Sequence, residues 1–285
     1  MKILETKQAL KQQLFACRKT GQTIGLVPTM GALHDGHLKL VKNAKANTDF
    51  VVVSIFVNPT QFNNPADLEK YPRTIEQDVK LLGEAGVDMV FLPAVGEMYP
   101  EPTKLTFDFG ALERVLEGAF RPGHFNGVGV IVSKLFHIVQ PDKAFFGQKD
   151  LQQVAIIRRM VDDLSFGVEV VVVPTSRELD GLAMSSRNGR LTAVDRKRAL
   201  ILFDSLTLAR KELLAGKSWF EVQKKISHKF NLEQGVELEY FELVRTKSLE
   251  TVSAIDISQQ AEPQEYSICT AAYVGEVRLI DNLSI

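Results

Sequence analysis

Apolar residues in the N-terminal half of the chain alternate between short, largely apolar runs and helical spacings. The runs cover residues 23–27, 50–57, 89–93, 144–147 and 168–173. Between them, apolar residues recur three or four positions apart over 38–44, 75–85, 128–139 and 157–164. Near-continuous runs rich in β-branched residues are typical of strands buried on both faces of a parallel sheet. The alternation therefore predicts βαβ units and an α/β fold.

The segments around this pattern are less regular. Residues 2–19 carry Leu4, Leu10, Leu14 and Phe15 at amphipathic spacing, which predicts a helix before the first strand. Residues 94–125 are rich in proline, glycine and aromatic residues and predict no single element.

The pattern changes after Pro174. Residues 175–190 are polar, and two helical segments follow at about 193–214 and 218–230. Apolar positions near 237–245 and 266–280 then alternate, which predicts antiparallel strands. We therefore expect two domains, residues 1–174 and residues 175–285, of which the second is a smaller α+β unit.

Composition and charge narrow the class of protein. The 285 residues are 45% hydrophobic and 24% charged, as in ordinary soluble globular proteins. A net charge of −1 provides no positive field that would attract nucleic acid or a membrane surface. Cys17 and Cys269 form no motif, the N-terminus has no signal-peptide pattern, and the longest apolar run is too short to span a membrane. We expect a cytoplasmic protein.

The segment from Pro28 to His37 predicts an anion-binding turn between the first buried strand and a helix. Gly31 and Gly36 allow the backbone to approach a ligand closely. His34 and His37 share the first helical turn, where unpaired N–H groups and the helix dipole favour a phosphate. Two alternatives stay open, a structural histidine pair and a metal pair that lacks a nearby third ligand.

A second turn, residues 145–150, has the same form. Lys149 adds a positive charge beside a helix N-terminus. These two positive features together favour the binding of an anion. Asp150 and Gln153 have the spacing of a capping box, so the alternative that Asp150 only starts the helix is equally open.

Polar side chains on other loops are suited to hold a substrate. Ser185, Ser186 and Arg187 lie in a glycine-flanked segment that could clamp phosphate oxygens, although loop serines often make only local turns. Gln61 and Gln153 are uncharged groups able to bind a small polar substrate at the carboxyl edge of the sheet.

Several long motifs resemble those of one enzyme family. The segments PTMGALHDGH, SIFVNPTQF, YPRT, RPGHFNGV, FFGQKDLQQ and DGLAMSSRN occur in this order. Together they are similar to the pantothenate synthetase (pantoate–β-alanine ligase) family of the HIGH-type nucleotidyltransferases. The resemblance implies a Rossmann-like domain that binds nucleotide and pantoate, a small α+β domain carrying the MSSRN loop near its start, and a homodimer. It also implies that ATP and Mg²⁺ are used to condense (R)-pantoate with β-alanine through a pantoyl adenylate, releasing AMP and pyrophosphate.

The resemblance further implies which residues form the site. The implied catalytic residues are His34, His37, Lys149, Ser185, Ser186 and Arg187, with His37 as the proton donor. The implied ATP-binding residues are Met30, Gly31, Ala32, Leu33, His34, Asp35, Gly36, His37, Gly147, Gln148, Lys149, Asp150, Ser176, Met184, Ser185, Ser186 and Arg187, with Asp150 reaching the ribose. Those implied for pantoate and β-alanine are Asn58, Gln61, Tyr71, Glu117, Arg121 and Gln153. Ser176 stands where the family commonly has valine or isoleucine, and residues 75–78 hold fewer acids than some relatives, which leaves the magnesium ligands unknown.

Two other functions are compatible with the same turns. A nucleotidyltransferase without a ligation step would make a nucleotidylated product that persists when amines are supplied. A nucleotide-binding regulatory module would bind ATP tightly and turn over no carboxylic acid. No nucleic-acid or membrane partner is expected.

Overall fold

A six-stranded parallel sheet forms the first part of the structure, a computed structural model in which residues 1–255 and 265–285 are described. Its strand order is β1-β4-β3-β2-β5-β6. Leu26 of β2, for example, lies opposite both Val52 of β3 and Ala144 of β5. The strands are β1 (Lys2–Leu4), β2 (Ile24–Thr29), β3 (Phe50–Ile55), β4 (Met89–Phe91), β5 (Lys143–Gly147) and β6 (Glu169–Val173). The predicted α/β class is confirmed.

Helices cover both faces of this sheet because successive strand side chains point to opposite sides. Leu26 packs into the same apolar cluster as residues of α1, α7 and α8, whereas the next residue, Val27, packs with α2 and α4. The helices of this part are α1 (Lys7–Lys19), α2 (Asp35–Asn47), α3 (Pro65–Glu69), α4 (Ile75–Glu84), α5 (Val95–Met98), α6 (Leu116–Phe120), α7 (His124–Val139) and α8 (Leu151–Asp163). Residues 94–125, which predicted no single element, hold α5, α6, a 3₁₀ turn at Gly110–Glu113 and the start of α7.

The helix predicted over residues 2–19 is wrong at its start. Residues Lys2–Leu4 form the edge strand β1, with Leu4 opposite Phe91 of β4. Helix α1 begins only after Thr6, whose hydroxyl accepts a hydrogen bond from the Ala9 amide at 3.2 Å. The edge strand depends on a partner far along the chain, which local spacing does not reveal.

The C-terminal part is a three-stranded antiparallel sheet, in the order β7-β8-β9, packed against helices. Its elements are α9 (Ala193–Arg198), α10 (Leu200–Leu214), α11 (Trp219–Leu232), β7 (Val236–Arg245), β8 (Tyr266–Val274) and β9 (Val277–Ser284). The smaller α+β unit is therefore confirmed. Two details differ from prediction: the helix expected at 193–214 is divided at Ala199, and residues 266–280 form a hairpin that turns at Gly275, where φ is +58°. The division at Pro174 stays a prediction.

The strand order places two strand-to-helix turns side by side. Strand β3 lies on one side of β2 and strand β5 on the other, so the order of strands reverses at β2. In open parallel sheets, the crevice at the carboxyl ends of strands beside such a reversal binds ligands. The turns after β2 and β5 flank this crevice. Within the described residues, no helix is both long enough and apolar enough to cross a bilayer.

Candidate active site

The turn after β2 is stabilised by a buried carboxylate. Asp78 of α4 accepts hydrogen bonds from the backbone N–H groups of Ala32 and Leu33 at 2.9 and 2.8 Å. The Thr74 hydroxyl also donates to Asp78, at 3.1 Å. Gly31 and Ala32 both have positive φ, +81° and +50°, so the turn needs external bonds to hold its shape. Sequence reasoning assigned Asp78 no place in the site. The signal available was a charged residue four positions before Leu82 on the buried side of a helix.

The two histidines form the N-terminal cap of α2. The Nδ1 atom of His34 accepts from the Gly36 amide at 3.1 Å, and the Nδ1 atom of His37 accepts from the His34 amide at 3.3 Å. Because a backbone N–H can only donate, each neutral ring carries its proton on Nε2. The ring of His34 lies so close to Gly36 that an added Cβ there would be 2.8 Å from its Cε1 atom. Both rings are thus fixed as Nε2–H donors.

Both imidazoles are neutral at neutral pH. Burial, followed by the nearby charge of Lys149, lowers the pKa of His34 to about 4. Burial, followed by the charges of His34 and Lys149, lowers the pKa of His37 to about 3. The rings therefore supply hydrogen-bond donors, while the positive charge of the site comes from lysine and arginine.

The turn after β5 is anchored from the C-terminal sheet. The side-chain amide of Asn282 in β9 donates to the carbonyl oxygens of Gln148 and Lys149 at 3.0 and 2.8 Å. The Lys149 ammonium lies 3.5 Å from the Asp150 carboxylate. The side chain of Asp150 makes no capping hydrogen bond to α8, so it is not engaged in starting that helix. Asn282 gave no sequence signal, because its contact depends on the packing of distant elements.

The loop at residues 185–190 closes on the first turn. The Ser185 hydroxyl accepts from the Arg187 amide at 3.2 Å, and the Ser186 hydroxyl donates to the carbonyl oxygen of Ala32 at 3.0 Å. The Arg187 guanidinium donates to the Asp67 carboxylate of α3 at 2.8 Å. These contacts join the loop to the turn after β2 and to α3.

A hydrogen-bonded group fixes Gln61 at the wall of the cleft. Its side-chain oxygen accepts from Asn58 at 3.0 Å, and its backbone carbonyl accepts from His124 Nδ1–H at 2.8 Å. The remaining side-chain N–H group points toward the Met30 sulfur, 3.1 Å away, at the cleft wall. Close packing sets this arrangement, since a Cβ on Gly127 would lie 2.3 Å from the carbonyl oxygen of Thr60.

One cleft collects side chains from all of these segments. Of the expected site residues it is lined by Met30, His34, Gly36, His37, Asn58, Gln61, Tyr71, Gly147, Lys149, Asp150, Gln153, Ser176, Met184, Ser185, Ser186 and Arg187. The expected positions that do not line it in the described structure are Gly31, Ala32, Leu33, Asp35, Gln148, Glu117 and Arg121. An apolar wall from α7, including Val128, Ile131 and Leu135, completes the cleft.

Glu117 and Arg121 instead line two adjoining cavities between α6 and the C-terminal sheet. Arg278 of β9 donates to both oxygens of Glu117 at 2.7 and 2.8 Å, and the Tyr240 hydroxyl donates at 2.8 Å. Although burial alone would raise it, these bonds from Arg278 hold the pKa of Glu117 at about 2. Glu117 is a buried anion that connects α6 to the C-terminal sheet.

A parallel sheet whose cleft lies at the turns after the two strands that flank its reversal defines a Rossmann-like protein of the nucleotide-binding type. A family model for pantoate–β-alanine ligase matches residues 2–284. The chain belongs to the pantoate–β-alanine ligase family and is a ligase.

Curated relatives and solved structures agree with this assignment. The chain is 50% identical to a pantothenate synthetase from Phocaeicola vulgatus, over 99% of each chain, and 47% identical to one from Cytophaga hutchinsonii, over 98% and 97%. A crystal structure of pantothenate synthetase from Thermus thermophilus matches with a TM-score of 0.91 at 42% identity, over 100% and 99% of the chains. A pantoate–β-alanine ligase from Francisella tularensis, complexed with β-γ ATP and β-alanine, matches with a TM-score of 0.80 at 36% identity, over 100% and 97%.

Proposed function

We propose that this chain uses ATP to condense (R)-pantoate with β-alanine, giving pantothenate, AMP and pyrophosphate through a pantoyl adenylate. The observation that carries the proposal is the meeting of His37, Lys149 and Ser186, from three separate loops, in one cleft. The names of the relatives give the substrates, and the cleft supplies the groups that such a reaction requires.

In the proposed first step, a carboxylate oxygen of pantoate attacks the α-phosphorus of ATP. The bond from that phosphorus to the bridging oxygen breaks, and pyrophosphate leaves with the electron pair. Negative charge grows on the leaving group, so fixed positive groups lower the barrier. Under this proposal Lys149 and Arg187 provide the charge, the Nε2–H groups of the two histidines provide donors, and the dipole of α2 adds its positive end. Under this proposal His37 donates a hydrogen bond from a neutral ring.

In the proposed second step, the neutral amine of β-alanine attacks the acyl carbon and AMP leaves. Holding the two reactants together is the main task, since effective molarities of about 10⁵ M or more can come from positioning. Under this proposal Gln61 and Gln153, which line the cleft, would bind the polar groups of pantoate, and the apolar wall of α7 would cover its methyl groups. The closed loop at Ser186 keeps water from the adenylate.

The proposed Mg²⁺ fits a site that is built mostly by the nucleotide. Among the described residues, no group of three or more His, Cys, Asp or Glu side chains could hold a metal ion. Mg²⁺ in ATP sites is commonly bound by one or two carboxylates together with phosphate oxygens and water. Asp150 lines the cleft, and under this proposal its carboxylate would hold the ion, while the ribose contact that the resemblance implies stays a prediction. The ion would neutralise phosphate charge.

The proposal includes a cytoplasmic homodimer, which the family resemblance supports. Sedimentation equilibrium tests the oligomeric state, and a mass of one chain would contradict the dimer.

Analysis of products tests the proposed reaction. With ATP, pantoate and β-alanine, we expect equal amounts of pantothenate, AMP and pyrophosphate, and none of them without pantoate. ADP and phosphate would indicate an acyl-phosphate route. A nucleotidylated product that persists with amines present would indicate a nucleotidyltransferase without ligation, and ATP binding without turnover of any acid would indicate a regulatory module.

A further inference from the structure

A second cavity of about 420 Å³ adjoins the cleft. It lies between α3, α6 and the β8–β9 hairpin, and it shares Lys149, Asp150, Ser185 and Arg187 with the cleft. The two spaces therefore meet at the side chains proposed to bind the leaving phosphates.

One wall of this cavity carries more positive than negative charge. Arg187 and Arg190 both donate to the same carboxylate, that of Asp67, at 2.8 and 2.9 Å. All three side chains are largely buried, with 23–26% of each exposed. One carboxylate cannot neutralise two guanidinium groups, and burial weakens the screening by water.

On the opposite wall, Glu117 lies between two guanidinium groups, those of Arg278 and Arg121. Arg278 takes both oxygens of Glu117 and is also paired with Glu239, at 2.6 Å. Arg121 is left with a contact of 3.6 Å to Glu117 and a bond of 3.2 Å from its Nη1 atom to His124. Burial lowers the pKa of His124 to about 3, so this neighbour is neutral. Arg121 is thus a mostly buried cation without a close carboxylate of its own.

We propose that this cavity is an anion site that receives pyrophosphate as it leaves the newly formed pantoyl adenylate in the cleft. Lys149 and Arg187 line both spaces, so pyrophosphate can move from the cleft without losing these contacts and gain Arg121 and Arg190. Its several negative charges match a wall with several guanidinium groups. The adenylate can stay covered in the cleft meanwhile. This inference rests on the proposed function, because pyrophosphate must first be a product.

Because pantoate is proposed to react in the cleft, the carboxylate of β-alanine is the competing small anion for this cavity. It carries a single charge, which one guanidinium would satisfy, whereas the cavity presents several. The cavity therefore favours pyrophosphate, and the experiment separates the two ligands.

The test is product inhibition by added pyrophosphate in the Arg190→Gln variant. Arg190 lines the cavity but not the cleft. Removing one charge-assisted contact should raise the inhibition constant of pyrophosphate about tenfold, while the KM for ATP changes by less than about twofold. Arg190→Lys keeps the charge and should restore most of the inhibition. The matched control is Lys70→Gln, since Lys70 lines the same cavity but is 59% exposed and pairs with the exposed Glu276.

Three results would overturn the inference. An unchanged inhibition constant would mean that pyrophosphate does not use this cavity. A KM for ATP that rises in parallel would place Arg190 among the groups that bind the triphosphate. A raised KM for β-alanine with unchanged inhibition would assign the cavity to the amino acid. A wild-type enzyme that releases no pyrophosphate would instead contradict the proposed function, and this result is recognised before any variant is made.

Discussion

Lys149 lies where the cleft and the adjoining cavity meet. Its side chain lines both spaces, whereas its contact with β9 is made by the backbone. Its backbone carbonyl is bound by Asn282, and this bond survives truncation of the side chain. We therefore expect Lys149→Ala to lower kcat/KM at least a hundredfold, on the order of 3 kcal/mol, because charge on the leaving phosphates is no longer stabilised. Steady-state kinetics and a thermal melt check this.

Lys143→Ala provides the matched control for that variant. Lys143 is the first residue of β5, the strand that precedes the turn with Lys149, and it pairs with Glu169 at 3.0 Å. It should leave kcat/KM near the wild-type value. A Lys149→Ala protein that melts far below wild type would show that the lysine has a structural role.

We expect Gln61 to contribute to the binding of pantoate and not to the binding of ATP. Its side-chain N–H group at the cleft wall is a neutral donor, so Gln61→Ala should raise the KM for pantoate about tenfold, and the KM for ATP much less. Substrate-saturation curves measure both constants, and Gln223→Ala, on a half-buried glutamine of the C-terminal domain, is the control. A larger change in the KM for ATP would mean that the two subsites are exchanged.

The buried histidine His124 links stability to pH. Burial lowers its pKa from 6.5 to about 3 in the folded protein, so below pH 6.5 the unfolded chain binds a proton that the folded chain does not. The free energy of unfolding should therefore fall as the pH is lowered, by about 1 kcal/mol from this residue between pH 7 and pH 5.5. His124→Asn, which keeps an N–H donor for the Gln61 carbonyl, should lessen this dependence.

Urea unfolding at the two pH values measures the effect. His228→Asn, at an exposed histidine, is the control. The pH dependence of its free energy of unfolding should equal that of the wild type. Equal pH dependence in His124→Asn and wild type would contradict the folded-state pKa of His124.

At the scale of elements, strand β9 positions the turn after β5. Asn282→Ala removes two hydrogen bonds to the carbonyls of Gln148 and Lys149, and should lower kcat about tenfold through the misplaced Lys149. Asn47→Ala removes a bond of similar length, 2.8 Å to the Asn43 carbonyl on the surface of α2, and should leave kcat unchanged. If Asn282→Ala lowers stability but not kcat, β9 does not position the site.

The elements that depend on local sequence could be predicted, and those that depend on distant partners could not. The apolar pattern that burial imposes on an element is visible in the local sequence. Short apolar runs predicted strands β2, β3 and β5, and helical spacing predicted helices α2 and α7. The edge strand β1 required the distant β4 as a partner. Asp78 and Asn282 act across the fold on turns far away in sequence, so no local pattern identified them. The two turns proposed to bind phosphate could be located because glycine, histidine and lysine after strand ends favour the binding of an anion.

At the scale of the whole molecule, the C-terminal domain does more than cover the cleft. It supplies Ser186 to the turn after β2, Asn282 to the turn after β5 and Arg278 to the buried Glu117. In addition, Arg177 and Asp281 form a pair at 2.6 and 3.0 Å that ties the segment before the Ser186 loop to β9. Residues before and after β6 therefore line the same cleft.

The central claim is that three separate loops meet on one nucleotide while a carboxylic acid displaces its pyrophosphate. Exchange of labelled pyrophosphate into ATP, measured without β-alanine, tests this claim most directly because it detects the reversible formation of the adenylate. We predict exchange that requires pantoate and that Lys149→Ala reduces at least a hundredfold. No exchange in the presence of pantoate, with ADP and phosphate formed once β-alanine is added, would contradict the account.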